Sequence, residues 1–463
     1  MAPFLLRRTI MSFREDFAWG VASSAYQIEG AAYEDGKGLS VWDMFCKKDG
    51  TIQGGATGDV ACDHYHRYKE DIAIMKEMGQ KAYRFSLCWS RIMPNGTGEI
   101  NPKGLEFYDN LINELLANGI EPYITLFHWD TPYEIYRKGS WLNDDSPDWF
   151  AEYAKVVTEH FSDRVKYFIT INEPQCFIGL SYVVGVHAPG LKLQPHDTVK
   201  MAHNVLLAHG KAVMAMRAAA KQPIKIGYAP SCSFYYPETD SDADVEAARA
   251  ANFKMGDPNG HWSWNIPWWS DPVFLGKYPD EAEGVFAPYM PKIGANDFDI
   301  IGQELDFLGY NIYNGTMVRA GEDGGTEFIS NYAGFPKTQA AWTVNPETLY
   351  YGPKFLYERY KKPIYITENG IACHDVVSLD GKVHDPNRID FTARYLRELK
   401  RASADGIDVR GYFYWSNLDN FEWECGYERR FGMVYVDFRT QERIIKDSGY
   451  WYKEVIEQNG ENL

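Results

Sequence analysis

One rhythm constrains this chain more than any single motif. A short, β-rich apolar run is followed by a polar cluster and then a helical stretch, and the pattern recurs from end to end. The runs are FAWGVA (17–22), KAYRFSL (81–87), EPYITLF (121–127), KYFITI (around 167–171), IKIGYA (224–229), LDFLGYN (305–311), PIYIT (363–367) and VRGYFYW (409–415). Between them, residues 67–79 set Ile72, Met75 and Met78 near one face and stop at Gly79, a helix-terminating signal. Residues 104–118 repeat the pattern and stop at Gly119, and 198–221 and 388–405 read as long amphipathic helices. Strand and helix alternating in this way argue for a parallel sheet covered by helices. Eight such units predict an α/β fold, a single (β/α)8 TIM barrel with extended βα loops. An open, doubly wound sheet is disfavoured because no G-x-G-x-x-G follows the first strand.

Length alone would allow about three domains for 463 residues, but α/β barrels routinely take a chain of this size as one. No linker, charge block or repeat divides it, so residues 12–463 read as one catalytic barrel. The start, MAPFLLRRTIMSF, has too short an apolar piece for a secretory signal, and its arginines follow that piece instead of preceding it. Residues 1–11 are therefore expected to be an extension, disordered or an upstream alternative to a start at Met11. A net charge of −17 repels phosphate backbones and sets nucleic acid aside as a partner. No apolar run is long enough for a bilayer, which sets membranes aside. The seven cysteines are scattered and form no C-x-x-C, so reduced thiols in a cytoplasmic protein are expected.

In such a barrel the chemistry sits where the strands end. The fourth run ends Asn172-Glu173-Pro174, and the following proline is expected to hold Glu173 extended. The seventh ends Thr367-Glu368-Asn369-Gly370, with Asn-Gly expected to turn the chain sharply after Glu368. Two glutamates across one barrel mouth are the apparatus for glycoside hydrolysis. The other ends supply Gln27, Arg84, His128-Trp129-Asp130, Asn311-Ile312-Tyr313 and the stretch from Trp415 to Trp423. Amides, a histidine, carboxylates and tryptophans are the groups that bond hydroxyls and cover a ring face. The aromatic content of 15% fits such a site as well as a large core.

These motifs, with GYERRFGMVYVDF at 426–438, resemble the family 1 glycoside hydrolases, in particular bacterial-type β-glucosidases, from about Phe13 to Trp451. The resemblance implies that Glu173 is the acid/base and Glu368 the nucleophile. It places Gln27, His128, Trp129, Asn172, Tyr313, Glu422 and Trp423 on the sugar, Trp415 beneath it as a stacking floor and Trp342 at the aglycone. It makes Arg84, Asn311 and Tyr313 the groups that orient the nucleophile, and it implies a cis Trp415–Ser416 peptide. It departs from the family at Thr131-Pro132-Tyr133, at Ile312, and at Ala341 and Thr343 beside Trp342. The segment 256–271 (GDPNGHWSWNIPWWSD) is longer and richer in Trp than usual. Trp268 and Trp269 read equally well as a packed loop or a binding platform.

The implied reaction is hydrolysis of nonreducing terminal β-D-glucosyl residues by a retaining double displacement, with β-galactosidase and β-fucosidase side activity. Arg84 is expected to keep Glu368 ionised, and the charge on Glu368 to raise Glu173. No metal or organic cofactor is required, the partners are small β-glucosides, and a homo-oligomer is allowed. The cluster Asp63-His64-Tyr65-His66 suggests zinc but has no third ligand at a sensible spacing, so it reads as hydrogen-bonding side chains. A 6-phospho-β-glycosidase is the second reading. Relatives of that kind carry Ser or Ala at the position of Glu422, and a Lys and a Tyr at those of Arg429 and Phe431. A carboxylate at 422 would repel the phosphate. A noncatalytic sugar-binding member would have lost one or both glutamates, and this chain has both.

Overall fold

The computed structural model describes residues 12–463, and the expected extension 1–11 lies outside the described residues. All eight apolar runs form strands: β1 Ala18–Ser23, β2 Ala82–Ser86, β3 Glu121–Phe127, β4 Tyr167–Asn172, β5 Lys225–Ala229, β6 Phe307–Asn311, β7 Ile364–Asn369 and β8 Val409–Trp415. Every strand pairs in parallel with its sequence neighbours, and β8 pairs with β1, which closes the barrel.

Parallel strands need crossovers, and the amphipathic windows supply them. The main helices are α1 His64–Glu77, α2 Pro102–Ala117, α3 Ser146–Phe161, α4 Pro174–Ile178, α5 Pro195–Ala219, α6 Asp242–Asn252, α7 Pro267–Leu275, α8 Thr348–Tyr360, α9 Pro386–Ala404 and α10 Asp447–Glu457. The four helical windows read from the sequence match α1, α2, α5 and α9 to within a few residues. In α2, Asn101 caps the Lys103 N–H and Pro102 opens the first turn, where its missing N–H costs nothing. Phe107, Leu111 and Leu115 bury one face of that helix.

Burial divides the interior into two bodies. The larger lies between strands and helices. The smaller fills the barrel, with Ala22, Ala82, Tyr123, Ile169, Ala229, Phe307, Tyr365 and Phe413 drawn from β1 to β8 in turn. Small residues on some strands make room for rings on others, as in the edge-on Tyr123–Phe413 contact at 4.9 Å. At its upper end this plug continues into Trp415 and Phe431, with Tyr313 and Trp342 packed against it. The aromatic plug is thus the foundation on which the barrel mouth is built.

Behind Trp415 lies a buried ionic lattice. Lys446 bonds Asp375 (2.6 Å) and Asp419 (2.7 Å), and Arg388 bonds Asp375 (2.7 Å) and also pairs with Asp385. Asp419 also accepts from the Gly432 N–H at 3.0 Å. These charges are paired on several sides, which is the condition for tolerating them in an apolar interior.

Candidate active site

The pairing register slips where the two glutamates emerge. It shifts between Ile169 and Asn172 against β5, and beyond Ile366 against both β6 and β8. Such irregularities re-aim side chains at a strand end. Glu173 differs from the sequence expectation: its backbone is left-handed (φ 44°, ψ 65°), not extended. Pro174 bars the right-handed helical region, and the chain must pass straight from β4 into α4. The left-handed turn meets both demands, with the Glu173 N–H on the Ala229 carbonyl (2.8 Å) and its carbonyl accepting from Cys176 (2.9 Å). Asn369-Gly370 also differs. The strand runs on through Asn369, and Gly370 is needed for a close approach, since a Cβ there would meet the Trp415 carbonyl at 1.9 Å.

The two carboxyls face one cavity of about 480 Å³, which is also walled by His128, Trp129, Tyr313, Trp342, Trp415, Glu422 and Trp423. Arg84 donates to Glu368 Oε1 (2.7 Å) and to Asn172 Oδ1 (2.5 Å). Asn311 Nδ2 donates to Asn172 Oδ1 (3.1 Å) and to Glu173 Oε1 (2.8 Å). One hydrogen-bonded chain therefore joins the two carboxylates. Tyr313 Oη donates to Glu368 Oε2 at 2.7 Å. Asn311 was expected to orient the nucleophile, but its amide holds Glu173 instead, while Thr367 holds the Asn311 oxygen at 2.6 Å. Gln27 and Asn172, expected on the sugar, are fully buried, with Asn172 Nδ2 3.2 Å from His128 Nε2 and Gln27 Nε2 donating to Glu422 Oε2 at 3.4 Å. Gln27 Nε2 donates to Asn420 Oδ1 (3.0 Å) and the Phe421 carbonyl (2.8 Å), beneath Glu422.

Burial decides the electrostatics. It pushes the Glu368 carboxyl up to about 7, against the opposing pull of Arg84 and with a contribution from the charge of Glu173. Arg84 favours the ionised form of Glu368, as expected, but loss of water outweighs the guanidinium. Burial, reinforced by Glu424 and Glu368, pushes Glu422 up to about 8. Burial holds the His128 imidazole well below its ordinary range, so it meets ligands as a neutral ring. Trp415 and His128 lie nearly parallel at 5.8 Å, and the Trp415–Ser416 peptide is cis, as the family resemblance implies.

Several wall residues escaped the sequence reading. His187 bonds Glu424 at 2.5 Å, and Cys176, Cys232 and Leu180 line the same cavity. Glu424 follows the flagged Trp423 directly, which was the available signal. Trp268 and Trp269 are fully buried, and it is Trp264 from the same segment that faces the cavity. The Asp63–His66 cluster resolves into hydrogen bonds. His64 meets Asp71 at 2.8 Å, Arg443 grips the same carboxylate at 2.9 Å, and His66 meets Asp63 at 2.6 Å.

Comparison with known proteins adds the family. The model of glycosyl hydrolase family 1 matches residues 9–461. A 1,4-β-D-glucan glucohydrolase from Thermotoga neapolitana is 46% identical over 97% of this chain and 99% of its own length. β-Glucosidase A from Thermotoga maritima is 43% identical over 97% and 99%. A β-glucosidase from that organism solved with glucoimidazole superposes with a TM-score of 0.88 at 43% identity, covering 97% of this chain and all of the other, and another structure of it holds galacto-hydroximolactam. A 6-phospho-β-galactosidase from Clostridium acetobutylicum is 37% identical over 96% and 97%.

Proposed function

The chain belongs to glycosyl hydrolase family 1, and from that premise we propose that it is a retaining, exo-acting β-glucosidase. The observation that carries the reading is the pair of buried glutamates at the ends of β4 and β7, tied together through Arg84, Asn172 and Asn311. Glu368 attacks the anomeric carbon while Glu173 protonates the departing glycosidic oxygen. Glu173 then takes a proton from water, which attacks the same carbon and frees Glu368. The reaction requires Glu173 protonated and Glu368 ionised when the substrate is bound. Once Glu368 is esterified its charge disappears, and Glu173 changes role from acid to base.

Trp415 forms the sugar's floor, His128, Trp129, Glu422 and Trp423 bond its hydroxyls, and Trp342 flanks the aglycone. Gln27 and Asn172 complete the hydroxyl-bonding set, Gln27 beside Glu422 and Asn172 beside His128. The buried rings of Trp415 and Trp423 beside Glu422 support exo action on terminal glucosyl units such as those of cellobiose and plant β-glucosides. Galactosides and fucosides are side substrates, because a carboxyl at 422 can serve either orientation of O4. Residues 12–463 act as one catalytic unit. Among the described residues no helix is long and apolar enough to cross a membrane, and all seven cysteines are free. The free thiols support a cytoplasmic setting.

Proton NMR of early product from an aryl β-glucoside tests the reading. Initial release of the β-anomer is expected, and initial α-anomer would overturn retention. A strong preference for the 6-phosphorylated aryl glucoside would overturn the unphosphorylated substrate in favour of the phospho-β-glycosidase reading.

A further inference from the structure

We propose that Trp264 is a preformed platform for the outer part of the aglycone, selecting β-glucosides whose leaving group presents a flat, apolar face beyond its first ring. The proposal rests on the β-glucosidase reading and extends it to a residue with no place in the chemistry.

The tryptophans around the cavity differ in exposure in a telling order. Trp415 and Trp423 are 4% exposed, and Trp264 is 40% exposed although it lines the same cavity. The deeply buried rings form the closed, glycone end. Trp342 packs at 5.1 Å against Tyr313, the ring that bonds Glu368, so it flanks the first position beyond the scissile bond. Trp264 stands at the open end. An indole left this accessible on a cavity wall offers a flat apolar face and a polar N–H edge, the combination that stacks on a ligand ring.

The segment that carries Trp264 is built to hold it still. Trp262, Trp268 and Trp269 are at most 1% exposed and pack on one another, with Trp262 and Trp269 stacked at 6.3 Å and 14°. Trp269 Nε1 donates to the Ser263 carbonyl (2.7 Å), and Asn265 Nδ2 donates to the Trp262 carbonyl (2.7 Å). Trp262 Nε1 reaches Thr198 on α5 at 3.1 Å. Ser263 Oγ donates to the Gln175 carbonyl (3.4 Å) and lies so close to Gly179 that a Cβ there would meet it at 2.2 Å. Gln175 is two residues from Glu173, so the platform is anchored to the element that positions the acid/base. Three of the four tryptophans of this segment thus serve as a scaffold, and the fourth is presented to ligand. Placement of this kind lowers the ordering cost of binding.

Two ligand sources share that chemistry, the third glucose of a cello-oligosaccharide and the second ring of a phenolic aglycone. The test compares the unmodified enzyme with Trp264→Ala and Trp264→Phe on four substrates: cellobiose, cellotriose, 4-nitrophenyl β-glucoside and 4-methylumbelliferyl β-glucoside. For Trp264→Ala, kcat/KM is expected to fall about three- to tenfold on the longer member of at least one pair, mainly through KM, with the shorter member changed less than twofold. Trp264→Phe is expected to recover most of the loss. Loss within the sugar pair alone assigns the platform to oligosaccharides, and loss within the aryl pair alone assigns it to phenolics. Equal loss on all four substrates, or no loss on any, would overturn the platform while leaving the β-glucosidase reading intact. No turnover of any of the four by the unmodified enzyme would overturn both.

Discussion

Removing one hydroxyl from the site should move its pH profile by an amount the structure fixes. Tyr313 Oη donates to Glu368 Oε2 at 2.7 Å. Its ring is held independently of that bond, by Trp342 at 5.1 Å, by Phe431 at 6.4 Å and by the Tyr395 hydroxyl on the Tyr313 carbonyl at 2.9 Å. Tyr313→Phe therefore deletes the hydrogen bond and leaves the ring in place. A hydrogen bond to a charged group is worth about 1.5–3 kcal/mol. At 1.36 kcal/mol per pKa unit, its loss raises the Glu368 carboxyl by about one to two units. The sign follows from which form the bond favours: the hydroxyl stabilises the carboxylate, so without it protonation becomes easier. Glu368 must be ionised to attack, so the acidic limb of kcat/KM moves to higher pH by about one to two units. The limbs belong to the coupled pair, so the maximum falls as they approach each other. The assay is kcat/KM for 4-nitrophenyl β-glucoside from about pH 4 to pH 9, with the unmodified enzyme alongside. Its own acidic limb is expected above the ordinary carboxylate range, because burial already pushes Glu368 up. A bell that keeps its position and only loses height would refute this reasoning, since Tyr313 would then act on something other than the charge of Glu368.

Glu422→Ala should lower kcat/KM for glucosides at least tenfold, from loss of charge-assisted hydrogen bonds worth about 1.5–3 kcal/mol; an unchanged value removes Glu422 from the sugar. Lys446→Met should destabilise the fold by about 3–5 kcal/mol, read as a lower denaturation midpoint, because Asp375 and Asp419 lose their shared buried cation. Asp130 is fully buried with no charged partner in hydrogen-bonding contact, and burial pushes it up to about 7. A raised carboxyl destabilises the folded state as pH climbs from the unfolded value of about 4 towards 7. Asp130→Asn should flatten that decline, and a Tm-against-pH curve parallel to that of the unmodified protein would contradict it. Glu368→Gly should lose hydrolysis and regain glycosyl transfer with azide or formate; recovery as an α-azide product in Glu173 variants would mean the two roles are exchanged.

The parts of the molecule that could be read from sequence are those set by local periodicity. Each of the eight apolar runs became a barrel strand, because a strand buried on both faces is written as a short continuous apolar run. The two glutamates were legible because Pro174 and Gly370 punctuate the chain beside them. The manner of punctuation was not. Whether Glu173 turns left-handed depends on how abruptly α4 must start, and Gly370 answers to Trp415, which arrives from a distant strand. The partner of the Asn311 amide is hidden from the sequence for a similar reason. Its backbone pairs with Glu368, but the partner of its amide is decided by Thr367 and Asn172 together. The Trp-rich segment drew attention to Trp268 and Trp269, yet only the packed structure separates the scaffold rings from the exposed Trp264. The Lys446–Asp375–Arg388 lattice left no sequence signature, because it is assembled from segments with no common period.

The central claim is that Glu368 forms a covalent bond to the sugar while Glu173 manages the proton. An activated 2-deoxy-2-fluoro-β-glucoside slows both steps but forms the intermediate quickly and releases it slowly, so the enzyme should be inactivated one-to-one and then recover when the label is turned over. Peptide mapping by mass spectrometry of the inactivated protein is the direct measurement. The account predicts a single fluoroglucosyl group on the peptide containing Glu368, absent when a competing glucose analogue is present. A label on Glu173, or turnover of the reagent with no covalent adduct, would contradict it.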